Sequence, residues 1–204
     1  KNIGTIVYGS ELKDPKEKLD CGNSGTTTRL LIGLLAGKGI NATFIGDKSL
    51  SKRPMNRVLI PLKKMGLNYN SNNGKLPVKI YKSILSNESH VLEISSAQIK
   101  SAILLASLNS KGVTLISEPN KSRDHTEILL KYFGSNISLK NRKITFEKVY
   151  ERFKPFNIKI PGDPSSASFF GAAAAILPNS KLHLKSILLN PTRIGFFEIL
   201  STMG

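Results

Sequence analysis

The 204-residue chain holds one cysteine and no tryptophan, and only 14 of its residues are Asp or Glu. Each scarcity removes a class of protein. A single thiol, Cys21, excludes an internal disulfide framework and fits a reducing, cytoplasmic setting. It reads as a small buried hydrophobe rather than a nucleophile. No apolar run approaches the ~20 residues that a membrane helix needs, and no cationic leader with an apolar core opens the chain. Aromatic residues make up 7% of the sequence and are not interleaved with basic ones, which argues against a platform for stacking nucleobases.

Basic residues are abundant. Thirty Lys and Arg give a formal net charge of +16, a strong bias toward anionic partners. A basic nucleic-acid-binding module is therefore one reading. Against it, the cations are scattered (Lys13, Lys16, Lys63, Lys79, Lys140) and form no long run. A small phosphate-bearing ligand suits the Ser/Gly/Arg turns better.

The richest such turn is LDCGNSGTTTRLL, residues 19–31. A polar Gly/Ser/Thr stretch runs straight into an apolar helix, with Arg29 one turn inside. Free amides at a helix start, small side chains and a nearby guanidinium together make an anion site. The device recurs. Apolar helices open at Ser24, Ser96 and Ser166, and a second helix of each unit ends on Met65-Gly66, Phe133-Gly134 and Met203-Gly204. Both landmarks share a period of roughly seventy residues, the signature of an internal repeat.

Within a unit the order reads strand, helix, strand, helix, two strands. In the first, a turn and helix span 21–37, a strand 41–45 and a second helix 54–65. Strands 67–70 and 76–81 flank the hairpin signal Asn72-Asn73-Gly74. Pro54 suits a first helical turn, and Pro61 is expected to kink that helix. The first helix of each unit is apolar nearly all round and is expected to be buried, with the charged second helices outside.

Residue 1 is Lys, residues 1–20 read as the closing strands of an earlier unit, and Gly204 falls at a helix C-cap. The segment IKIPGDP, residues 158–164, marks a boundary. The expectation is a substrate-binding domain over residues 1–160, lacking the start of its N-terminal unit, followed by the truncated beginning of a second domain over 161–204.

Four polar clusters stand at helix starts. Asn23-Ser24-Gly25-Thr26 offers amides and hydroxyls, and Gly46-Asp47-Lys48-Ser49 leads to Arg53, whose guanidinium can fork a carboxylate or phosphate. Ser95-Ser96-Ala97-Gln98 adds hydroxyls, an amide and the N–H of Ala97. Ser122-Arg123-Asp124-His125-Thr126-Glu127 adds a second guanidinium. Each alone is equally readable as ordinary capping; four in repeated units are expected to converge on one cleft.

The strings LDCGNSGTTTRLL, GDKSLSKRPMNRVLIPLKKMG, SSAQIKSAILLASL, SRDHTEILL, PGDPSSASFFGAAAAI and NPTRIGFFEIL closely resemble the 5-enolpyruvylshikimate-3-phosphate synthase (3-phosphoshikimate 1-carboxyvinyltransferase) family, in its bacterial class II form. They run from residue 19 to 204, about the middle half of a family member. The sister UDP-N-acetylglucosamine enolpyruvyl transferase is the nearest alternative, but GNSGTT, RPMNRV and SAQIK resemble the shikimate enzyme.

The resemblance implies an inside-out α/β barrel fold of repeated βαβαββ units, two domains closing on substrate, and no metal or organic cofactor. It implies transfer of the enolpyruvyl group of phosphoenolpyruvate to the 5-hydroxyl of shikimate 3-phosphate with release of phosphate. It also implies a cytoplasmic protein, monomeric at full length, that binds neither nucleic acid nor membrane. Gly25 and Arg53 match positions that meet phosphoenolpyruvate, with Asn23 and Thr26 shaping the turn. Ser96 and Ala97 match positions that hold the shikimate phosphate, Gln98 one that reaches both substrates, and Arg123, less firmly Ser122, one that contacts shikimate 3-phosphate. Asp163 is expected to cap a helix and His125 to be structural. His90 and His183 match nothing and are expected at the surface or in strands. The family's proton-transfer groups match no residue of this chain, so a fragment of this extent is expected to bind but not to turn over.

Overall fold

The computed structural model describes residues 4–110, 112–147, 153 and 155–204. Two successive βαβαββ units dominate it. The first comprises β1 (Leu19–Asp20), α1 (Gly25–Gly37), β2 (Ala42–Ile45), α2 (Asn56–Lys64), β3 (Asn68–Asn72) and β4 (Lys75–Tyr81). The second comprises β5 (Ser89–Val91), α3 (Ala97–Ser107), β6 (Val113–Ser117), α4 (His125–Tyr132), β7 (Asn136–Lys140) and β8 (Lys143–Glu147). Helices α5 (Pro164–Ile176) and α6 (Gly195–Thr202) follow.

The repeat read from the sequence is a repeat of topology. Each unit forms a four-stranded sheet, ordered β1-β2-β4-β3 and β5-β6-β8-β7. The first two strands of each unit pair in parallel and the remaining pairs are antiparallel. A parallel pair needs a crossover, which α1 and α3 supply. The closing hairpins turn on Asn73-Gly74 (φ 49° and 72°) and Asn141-Arg142 (φ 47° and 63°). Two successive left-handed residues match the twist of the flanking strands.

Burial follows the period of each element. In β4 the alternation puts Leu76, Val78 and Ile80 into the core and leaves the lysines outside. The α2 face carrying Val58, Leu59 and Leu62 is buried, whereas Arg57, Lys63 and Lys64 face solvent. Between the sheets, α1 lies directly on α3. Gly33 and Gly37 of α1 meet the backbone of Ala102 and Ala106 of α3, and absent side chains are what allow two helices so close an approach. At the other end Thr26 is bonded to Gln98, so the helices run parallel and both N-termini open on the same side. That placement creates the site.

The structure departs from the sequence expectation in four places. α2 begins at Asn56 rather than at Pro54. Proline disfavours helical geometry in the residue before it, Arg53 is extended (ψ 138°), and Met55 is held by a bond from its N–H to the Gly74 carbonyl at 2.7 Å. The third apolar helix begins at Pro164, not Ser166. Asp163 is its cap, accepting from the N–H groups of both Ser165 and Ser166, the capping role anticipated for it. That helix is not buried: Phe169 is 79% and Phe170 64% exposed, because α6 is its main packing partner and contributes no fully buried residue. Residues 4–18 form no strand; residues 1–3 lie outside the described residues. This highly charged segment is exposed and is tied down where Asp14 accepts from the Asn41 backbone and side-chain amides. His90 lies in a strand, β5, one of the two places expected for it, and is 5% exposed. Cys21 is buried, as expected.

Candidate functional site

The site starts from two capped helices. Ser24 accepts from the N–H of Thr27 at the head of α1, and Ser96 from that of Ile99 at the head of α3. The remaining first-turn amides of two parallel helices point to the same side, and their dipoles place partial positive charge there.

Around the head of α1 the polar groups interlock. Asn23 Nδ2 donates to Asp47 at 2.6 Å, while Arg53 Nη2 donates to Asn23 Oδ1 at 2.7 Å. Asp47 also caps the 3₁₀ turn Leu50–Lys52, accepting from the N–H of Leu50 at 2.7 Å. The bond from Leu50, then that from Asn23, hold its carboxyl below the ordinary carboxylate value. The segment before Arg53 is therefore pinned to the turn before α1, and Arg53 is delivered to Gly25. A Cβ built on Gly25 would lie 3.7 Å from Arg53 Nη1 and 2.9 Å from Arg29 Nη1. Two guanidinium groups thus flank a residue with no side chain.

Gln98 joins this corner to the head of α3. Its Oε1 accepts from Arg29 Nη1 at 2.6 Å and its Nε2 donates to Thr26 Oγ1 at 2.8 Å. Beyond it opens a cleft of about 540 Å³ lined by Arg57, Ser95, Ser96, Ala97, Gln98, Lys121, Ser122, Arg123, Thr192 and Arg193. A second hollow shares Ala97, Gln98 and Arg123 with it and reaches Thr26, His125 and Thr126. Four cationic side chains line the cleft and no carboxylate does. Two of the four are paired with acids behind the lining, Lys121 with Asp124 at 3.2 Å and Arg193 with Asp163 at 2.7 Å, whereas Arg57 and Arg123 have no ion-pair partner among the described residues.

A buried network supports the floor. Lys100, 0% exposed in α3, lies 3.3 Å from Glu118 and 2.6 Å from Glu127. Glu118 in turn accepts from the N–H and hydroxyl of Ser122 at 3.1 and 2.7 Å, which fixes the chain just before Arg123. Ser95 ties the facing strand-to-helix loop to Asn120 through bonds to both its N–H and its carbonyl.

All eight residues singled out from the sequence (Asn23, Gly25, Thr26, Arg53, Ser96, Ala97, Gln98 and Arg123) fall at this one corner of the molecule. Ser122 lines the cleft too. His125 lines the smaller hollow with Nε2 buried and unbonded, and His183 is exposed. Sequence reasoning passed over Arg57, Lys121, Thr192 and Arg193, and read Arg29 as a guanidinium of the anion site before α1 without giving it a ligand. Arg57 lies four residues beyond Arg53 on the helix that follows, and Arg193 belongs to NPTR, so a signal existed in both. Lys100 also had one: it is the single charged residue in an otherwise uncharged helix.

The chain as a whole is similar to known proteins. The family profile described as EPSP synthase (3-phosphoshikimate 1-carboxyvinyltransferase) matches residues 2–204. The chain belongs to the EPSP synthase family. It is 44% identical over 209 residues to the 3-phosphoshikimate 1-carboxyvinyltransferase of Bacillus pumilus, covering 100% of this chain and 49% of that protein. It is 48% identical to that of Endomicrobium trichonymphae, over 100% of this chain and 48% of that protein. Against the solved EPSP synthase of Acinetobacter baumannii it has a TM-score of 0.84 and 41% identity over 94% of this chain and 44% of that one. The fold is thus the inside-out α/β fold of EPSP synthases, and the chain spans about half the length of the curated relatives it matches. Among the described residues no helix is long and apolar enough to cross a membrane, and no cluster of His, Cys, Asp and Glu is disposed to hold a metal.

Proposed function

We propose that this chain carries the substrate-binding corner of a 3-phosphoshikimate 1-carboxyvinyltransferase, an EPSP synthase family enzyme of the shikimate route to chorismate and the aromatic amino acids. At family length the reaction joins the 5-hydroxyl of shikimate 3-phosphate to C2 of phosphoenolpyruvate. Protonation of the methylene carbon accompanies attack at C2. The hydroxyl gives up its proton as it attacks, and the resulting tetrahedral intermediate then loses phosphate and one proton of its new methyl group, restoring the double bond in the enolpyruvyl ether.

The observation that carries this reading is the convergence of Gly25, Arg53, Gln98 and Arg123 at two parallel helix heads. Phosphoenolpyruvate belongs beside Gly25, where the missing side chain lets the Arg29 and Arg53 guanidinium groups approach and Arg53 supplies a planar donor pair for carboxylate or phosphate. The phosphate of shikimate 3-phosphate belongs at Ser96 and the N–H of Ala97, where Arg123 and the α3 dipole favour negative charge. Asn23 and Thr26 hold the turn, and Gln98 bridges the two substrates. The chain contributes binding and orientation; the proton-transfer groups lie outside it. The working division is a substrate domain over residues 1–160 and the opening of a second domain over 161–204, in a cytoplasmic, monomeric enzyme that needs no cofactor.

The decisive experiment uses a family-length protein carrying this segment and follows phosphate release from phosphoenolpyruvate. Release that requires shikimate 3-phosphate, and is not supported by UDP-N-acetylglucosamine, is the expected result. Arg53→Ala is expected to raise KM for phosphoenolpyruvate at least tenfold, a loss of about 1.4 kcal/mol, and Arg123→Ala to act chiefly on shikimate 3-phosphate. Turnover with the UDP-sugar alone, or none with either acceptor, rules the reading out.

A further inference from the structure

Arg29 has no ligand assigned to it, yet its burial demands an account. The residue is 7% exposed. Among the described residues no carboxylate pairs with it, and its Nε has no hydrogen-bond partner. Burial, then the charges of Arg57 and Arg53, lower its pKa. A cation held in this way costs folding free energy, because desolvation is not offset by a counter-charge.

Its two contacts show what the fold gains. Nη2 donates to the Pro54 carbonyl at 3.1 Å, anchoring the guanidinium, and Nη1 donates to Gln98 Oε1 at 2.6 Å. A guanidinium has donors and no acceptor. Gln98 can therefore meet it only through the amide oxygen, and the amide nitrogen is forced to the other side. There one N–H reaches Thr26 Oγ1 at 2.8 Å, and Gln98 lines both hollows. With Arg29 gone, the amide is free to rotate by half a turn and present its oxygen to an anion, which would repel it.

We propose that Arg29 is a positioning residue: it locks the Gln98 amide with its nitrogen toward the cleft, so that this side chain can only donate to the bound enolpyruvyl phosphate. The proposal rests on the functional reading above. Arg29 acts through Gln98, beside Gly25, on the phosphoenolpyruvate side of the site.

The test compares wild type, Arg29→Met, Gln98→Ala and the double variant in the family-length protein, with KM, kcat and Tm measured for each. Arg29→Met is expected to raise KM for phosphoenolpyruvate about tenfold and to change that for shikimate 3-phosphate less. Its Tm stays within about 2 °C of wild type, since methionine keeps the volume and removes an unpaired cation. The double variant is expected to match Gln98→Ala within about twofold, because two groups acting as one unit are not additive. Arg29→Lys keeps the charge but replaces the two nitrogens that meet Gln98 Oε1 and the Pro54 carbonyl by one on a shorter stem with no fixed plane, and is expected to share the raised KM. An unchanged KM in Arg29→Met, multiplicative losses in the double variant, or a wild-type KM in Arg29→Lys would each overturn the proposal. Should Arg29→Met fail to fold, the lysine variant carries the same comparison with Gln98→Ala. A wild-type protein that releases no phosphate would overturn the functional reading and this proposal with it.

Discussion

A Cβ added to Gly33 would stand 2.3 Å from the carbonyl oxygen of Ala102, and one added to Gly37 would stand 2.4 Å from that of Ala106. Both obstacles are backbone atoms inside a helix and have nowhere to go. Gly33→Ala is therefore expected to destabilise the fold by about 2–3 kcal/mol, despite the better helix propensity of alanine. Because α1 and α3 must part at this seam, the Thr26–Gln98 bond at their heads is strained as well. Urea unfolding of Gly33→Ala against wild type measures the first effect. A shift below about 0.5 kcal/mol would mean that the two helices are not packed in this register.

Gly25 is constrained by a different neighbour. A methyl group there would lie 2.9 Å from Arg29 Nη1, the far end of a side chain that is itself pinned to Pro54 and Gln98. Alanine at the first position of a helix costs little in stability, so Gly25→Ala is expected to fold with a Tm within about 2 °C of wild type. The guanidinium must shift and the ligand space narrows. KM for phosphoenolpyruvate is expected to rise about tenfold in the family-length protein. Kinetics identical to wild type would place the ligand away from this residue.

Lys100 is the reverse case, a buried cation with more than enough counter-charge. Its ammonium group, 0% exposed, faces Glu118 and Glu127. Burial, against the opposing pull of Lys100, leaves the Glu127 carboxyl above its ordinary value. Removing the lysine strands two buried carboxylates, so Lys100→Met is expected to cost about 3–5 kcal/mol. Adding Glu118→Gln and Glu127→Gln to the same chain is expected to return much of that loss. Since Glu118 also fixes Ser122, the single variant is expected to raise KM for shikimate 3-phosphate. Denaturant midpoints decide the matter: a loss below about 1 kcal/mol would show that the triad contributes little.

Much of this architecture was legible because the features that specify it are local. Serine caps and glycines past helix ends recur with the repeat, an Asn-Gly turn closes the first hairpin, and each reports backbone geometry directly. The site was legible for the same reason, since Gly25, Ser96 and Ala97 sit at helix heads. Arg29 and Lys100 were harder to read. On the sequence both are single charges within apolar helices, and whether such a charge snorkels to solvent or is buried depends on what lies opposite. For Arg29 that is Gln98, and for Lys100 it is Glu118, both contributed from elsewhere in the chain. The exposed α5 was misread because its composition is that of a buried helix, while burial depends on neighbours that composition does not name. Pro54 was read as a helix opener, but the hairpin contact from Met55 to Gly74 sets where α2 begins.

His90 sets a pH dependence with a definite sign. Burial, then the charge of Lys64, lower its pKa from 6.5 to about 4, against a smaller upward pull from Glu88. Its Nε2 is buried with no hydrogen-bond partner, so the folded chain offers a second ring proton no acceptor. Below pH 6.5 the unfolded chain takes up that proton and the folded chain does not, which favours unfolding. Stability is therefore expected to decline as pH falls from about 6.5 to about 4, below which the folded state protonates too and this contribution levels off. Carboxylates titrate in the lower part of the same range, so the informative quantity is the difference from His90→Leu, which cannot titrate. Unfolding free energies measured at half-unit intervals from pH 7.5 to about 4 are expected to fall more steeply for wild type than for the variant. Parallel curves would mean that His90 is protonated in the folded chain and that the β5 edge opens to water.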